Sequence, residues 1–62
     1  MDKPYTVRTN SRRWDGNDFT SNIQKQITFA DFKEAEALAD RLNETHGHLL
    51  TKNDLFFYAT FR

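Results

Sequence analysis

The chain is expected to fold as α+β: a small antiparallel sheet of three or four strands with one helix packed on one face, ordered β-β-α-β or β-β-α-β-β. Three observations predict this. Apolar residues alternate at a period of two on either side of a central segment, they recur at about 3.6 within it, and 62 residues leave room for one core. A single domain over residues 1–62 is the corresponding organisation.

The first strand begins at Tyr5, where Tyr5, Val7 and Thr9 alternate with Thr6, Arg8 and Asn10. Trp14-Asp15-Gly16-Asn17-Asp18 follows as a turn, because Asp and Asn bond their own backbone and Gly accepts a positive φ. A second strand is expected from Phe19 to about Thr28, with Phe19, Ile23 and Ile27 on one side and Thr20, Asn22, Gln24, Gln26 and Thr28 on the other. The helix is the strongest signal: Phe32, Ala35, Leu38, Ala39 and Leu42 form one apolar stripe. Asp31 with Glu34 matches a capping box at its start, and Gly47, beside His46, is placed as a left-handed residue ending it. A last strand is expected within Leu55–Phe61, beside the first in the order 2-1-3, and Leu49–Thr51 is an optional short strand. Apolar residues on both sides of Leu55–Phe61 suggest a central strand. The predicted core is Val7, Ile23, Ile27, Phe32, Ala35, Leu38, Ala39, Leu42, Phe57 and Phe61.

Composition narrows the chemistry. There is no Cys, which removes thiol catalysis, disulfides and most structural zinc sites, and no cofactor is expected. Nine basic and nine acidic residues sum to zero formal charge, so no global field favours duplex DNA. No apolar run approaches the ~20 residues of a membrane span. Met1-Asp2-Lys3-Pro4-Tyr5 lacks the apolar core of a leader, so a cytoplasmic location and no membrane partner are expected.

Candidate active groups are sparse. His46 and His48 could share a metal, but two ligands do not make a site, and helix-end and strand-start roles explain both. A calcium loop from Asp15 would need Gly and Glu where Thr20 and Gln26 stand. Glu36, Asp40 and Glu44 recur every four residues and read as a solvated acidic face rather than as a catalytic pair. Ser11 and Ser21 lack a neighbouring base, and glycines only at 16 and 47 leave no phosphate loop. No enzymatic activity is expected.

The remaining set is basic and aromatic. Arg8, Arg12, Arg13 and Trp14 stand near the first hairpin, with Phe56, Tyr58 and Arg62 in the last segment. With one helix available, one sheet face stays uncovered, and alternation assigns Phe56 and Tyr58 to it. A protein-binding or regulatory module is therefore expected, contacting a protein partner or a second copy to form a homodimer. The alternative is a single-stranded nucleic-acid binder, which requires Arg8, Arg13 and Trp14 on one surface with Tyr58. In size and architecture the chain resembles small accessory proteins of phages and mobile elements, a likeness of form that does not carry function.

Overall fold

A computed structural model describes residues 3–62, so Met1 and Asp2 of the segment read for a leader lie outside the described residues. Among these residues five short strands form one antiparallel sheet: β1 (Tyr5–Arg8), β2 (Arg13–Trp14), β3 (Phe19–Thr20), β4 (Thr28–Phe29) and β5 (Tyr58–Phe61). The single helix α1 (Phe32–Thr45) packs across β1 and β5. This is the expected α+β architecture, with the last strand beside the first. β1 is the hub. It pairs with β5 along one side (Tyr5↔Phe61 to Arg8↔Tyr58), and on the other with β4 at Tyr5 and Thr6 and with β2 at Arg8.

Local chemistry explains the breaks. The β1–β2 hairpin closes where the Thr9 N–H donates to the Arg12 carbonyl (2.8 Å) and the Arg12 N–H donates back to Thr9 Oγ1 (3.0 Å). The expected Asp15–Asp18 turn is present one hairpin later. Asp15 Oδ1 accepts from the Asn17 and Asp18 N–H groups, and Gly16 has φ +103°. Trp14 itself belongs to a strand, opposite Phe19.

The long second strand does not exist as one piece. Thr20 Oγ1 accepts from the Asn22 N–H and Asn22 Oδ1 from the Gln24 N–H, so side chains satisfy the backbone in place of a ladder, and a 3₁₀ turn forms at Ile23–Lys25. Ile23, expected in the core, is thereby 55% exposed. The helix starts at the expected place, with Asp31 Oδ1 accepting from the Lys33 N–H (2.9 Å). It ends at Thr45, and Gly47 opens a second 3₁₀ turn, Gly47–Leu49, without the positive φ assigned to it. Leu49–Thr51 is accordingly not a strand. The left-handed residue is Leu55 (φ 68°), which keeps Leu55 out of β5.

Val7, Trp14, Ala35, Ala39, Leu42 and Phe57 are the buried core, with Ile27 and Leu38 packed partly against it. Phe32 and Phe61 depart from expectation. They flank Tyr5 with ring centroids 5.3 Å from it, at the open end of the helix–sheet layer, and Phe61 stays 72% exposed. At the other end Trp14 meets Phe19, Phe57 and His46 edge-on at 5.2–5.5 Å. No helix among the described residues is long and apolar enough to cross a membrane.

Candidate functional site

The seven residues singled out from sequence separate into three groups. Strand register aligns one set in a row across the sheet: Thr20↔Arg13, Arg13↔Arg8 and Arg8↔Tyr58. Alternation puts this row opposite Val7 and Tyr5, which face the helix, so Arg8, Arg13 and Tyr58 share the uncovered face. Phe56, 55% exposed, meets the Tyr58 ring edge-on at 6.0 Å. Two like charges directly opposite on neighbouring strands are unfavourable for the sheet alone, by roughly 0.2–1 kcal/mol. An anionic partner would relieve that repulsion.

Arg12 has a different task. Asp54 is fully buried, and its carboxylate accepts from Arg12 Nη2 (2.6 Å), Arg12 Nε (3.2 Å), Thr9 Oγ1 (2.8 Å), the Thr51 N–H (2.9 Å), Thr51 Oγ1 (3.0 Å) and Ser11 Oγ. The Arg12 guanidinium, above all, and then Ser11, Thr51 and Thr9 hold this carboxyl far below the usual carboxylate range despite burial. The carboxylate raises the Arg12 pKa in return. The pair ties the first hairpin to the loop before β5, and the Asn10 N–H bond to the Asp54 carbonyl (3.0 Å) adds a backbone link. The Arg12 guanidinium carbon also sits over the Phe19 ring, 3.6 Å from its centroid.

Trp14 is the clear departure. It is 2% exposed, inside the core on the helix side of the sheet, and its Nε1–H has no acceptor among the described residues. It cannot stack with Tyr58 on the opposite face. Arg62 is exposed, and its N–H donates to the Pro4 carbonyl (2.9 Å).

Sequence reasoning weighed Asp54 only as a turn residue and, with Glu44, as a possible further metal ligand, and so missed its pairing with Arg12; it missed Asn43 altogether. The Asn43 amide accepts from the Phe57 N–H (2.8 Å) and donates to the Phe57 carbonyl (3.0 Å), standing in for a neighbouring strand. One signal was available for it: a polar residue adjoining the helix's apolar stripe.

A cleft of about 310 Å³ opens beside the first two hairpins, lined by Ser11, Arg12, Arg13, Phe19, Thr20 and Ser21. Its lining offers guanidinium and hydroxyl donors and no carboxylate or imidazole to take a proton. His46 and His48 stack at 6.5 Å, and no group of three or more metal-ligating side chains gathers among the described residues. In comparisons with protein families, curated proteins and solved structures, no significant match to this chain was found.

Proposed function

We propose that this chain is a small non-enzymatic binding module whose partner is a protein surface or a second copy of itself, engaged through the uncovered face of the sheet. The observation that carries the reading is the Arg13–Arg8–Tyr58 row with Phe56 against it, an aromatic and basic patch opposite a helix bearing Glu36, Asp40 and Glu44. Segregated charge of this kind orients a docking encounter. An acidic partner surface fits it best, because it would neutralise the two arginines that strand register sets opposite one another, although the Arg8 guanidinium already donates to the Thr9 (2.8 Å) and Asn10 (3.4 Å) carbonyls. A cysteine-free accessory protein of phage or mobile-element type, acting in a reducing cytoplasm, fits the same reading by analogy of architecture alone.

The test is the double change Phe56→Ser and Tyr58→Ser, followed by sizing and by cross-linked capture from the native host. Loss of an association that the parent shows, with the circular-dichroism spectrum intact, supports the reading. Unchanged size and unchanged captured partner refute it. A second reading, single-stranded nucleic-acid binding, is favoured by the same row of Arg and Tyr side chains and weakened by the burial of Trp14. A labelled oligonucleotide at low salt decides it, since binding through phosphates is strongest there.

A further inference from the structure

The backbone at the outer edge of β5 is unpaired at two positions. The Arg62 N–H donates to the Pro4 carbonyl (2.9 Å), which makes Pro4 and Arg62 a hydrogen-bonded pair of the antiparallel ladder. By alternation Tyr58, Thr60 and Arg62 turn their backbone groups toward β1, whereas Phe57, Ala59 and Phe61 turn theirs away. Asn43 satisfies the outward groups of Phe57. Among the described residues nothing bonds the outward N–H and C=O of Ala59 and Phe61, and β5 pairs with β1 alone. Neither Pro nor a charged residue blunts the strand, Tyr58-Ala59-Thr60-Phe61.

This edge lies beside α1, which packs against β5 and reaches Phe57 through Asn43. The helix runs antiparallel to β5: Phe32 at its start stands beside Tyr5, the cross-strand neighbour of Phe61, and Asn43 near its end reaches Phe57. Glu36 and Asp40 precede Asn43 by seven and three residues, so they share the helix stripe of the residue whose amide reaches the edge. Both are exposed and in no ion pair among the described residues. Lys33 and Glu44 adjoin this stripe, and the four charges together stay net acidic.

We propose that the β5 edge accepts an extended basic peptide segment of a partner protein as an added strand. The Ala59 and Phe61 amides and carbonyls would supply the ladder, and the partner's Lys or Arg stems would lie across Ala59 and Phe61 with their charges toward Glu36 and Asp40. A second copy is the obvious rival, since β5 can pair with itself about Thr60. That arrangement would set Glu36 and Asp40 against their own counterparts, and charge therefore selects the basic peptide. The proposal rests on the reading of the chain as a binding module but uses a different surface from the Phe56 and Tyr58 face.

The probe is a fluorescein-labelled peptide of about eight residues alternating lysine and valine, beside a glutamate–valine counterpart and a lysine–valine peptide N-methylated at alternate amides. The first is expected to bind and to shift the Ala59 and Phe61 amide resonances; the other two should bind at least roughly tenfold more weakly. Ala59→Pro removes an outward donor that β1 does not use, and should weaken binding by a similar factor. Glu36→Lys with Asp40→Lys, both on the exposed helix surface, tests the charge without touching the sheet. Phe56→Ser with Tyr58→Ser should leave this binding unchanged even if it abolishes the partner contact above. Equal binding of the N-methylated probe, indifference to the charge reversals, or a parent dimer that Ala59→Pro dissociates would overturn the proposal.

Discussion

Replacing Asp54 by Asn tests whether the buried carboxylate fastens the hairpin to the last strand. The side chain keeps its size but loses its charge, and its new NH₂ must face groups that are themselves donors: Arg12, Thr9, Ser11 and Thr51. Breaking a buried pair by removing one partner costs about 3–5 kcal/mol. Here Arg12 is 37% exposed and can turn to water, while Asp54 is wholly buried. A cost at or just below the lower end of that range, about 2–3 kcal/mol, is therefore expected. A 62-residue domain commands roughly 3–9 kcal/mol in total, so the loss is a large fraction of it. Urea unfolding followed by the fluorescence of Trp14, the single and buried Trp, reads the effect. With a slope near 1 kcal/mol/M the midpoint should fall by about 2 M or more. A shift below about 0.5 M at unchanged slope would refute the argument.

The same pair fixes a pH dependence. The folded-state pKa of Asp54 lies below its unfolded value, so the folded chain holds its proton less tightly, and the carboxylate's contribution is fully present above the ordinary carboxylate range. It is lost progressively as pH falls from about 4 toward the depressed folded value. Stability of the parent should be insensitive to this group between about pH 5 and 8. Asp54→Asn should flatten the acid limb. An acid limb of equal steepness in the variant would place the titrating group elsewhere.

Three further substitutions probe the core and the loop before β5. Leu42→Ala, at a position 4% exposed, should cost about 2–5 kcal/mol and more than Leu38→Ala, whose side chain is only partly buried; thermal unfolding that ranks them the other way would mean the helix is rotated from its assigned face. Leu55→Gly removes a side chain held at φ 68° and 61% exposed, and should leave stability unchanged or raise it by up to about 1 kcal/mol; a clear loss in urea unfolding would show that the Leu55 side chain makes a contact that outweighs its backbone strain.

The elements whose signal lies in repeated side-chain spacing were legible. The stripe from Phe32 to Leu42, the Asp31 cap and the alternation in Tyr5–Thr9 come directly from residue order, and the place of the last strand beside the first follows from crossover handedness. What escaped notice was set by competition between side chains and backbone. Ile23 and Ile27 have strand spacing, yet Thr20 and Asn22 divert the intervening backbone into a turn, and no periodicity reveals that. Trp14 looked like a surface group because it stands between two arginines and an Asp-rich turn. Its direction was decided by register with Phe19, because a one-residue slip of the pairing would turn every side chain to the other face. Of the basic and aromatic set, Arg8, Arg13, Phe56 and Tyr58 came together because alternation is robust within a strand. Arg12 was drawn away by Asp54, forty-two positions later in the chain.

The last segment shows why its pattern was misleading and what that implies. Apolar residues on both faces of Leu55–Phe61 argue for a strand in the middle of the sheet and covered on both faces, yet β5 stands at the sheet edge with α1 packed against it. The pattern is therefore under-used within the monomer: Phe57 is buried, while Phe56 and Phe61, on opposite faces, remain 55% and 72% exposed. An edge strand built solely for stability would carry charge or Pro to discourage pairing. Here the one blunting device, Asn43, covers Phe57 and stops short of Ala59 and Phe61. Blocking the ladder at one end while leaving two residues open limits what can be added to a short segment in one register. On the proposal made above, such an edge would take one specific strand rather than aggregate open-endedly, and the acidic helix stripe beside it would select a basic one.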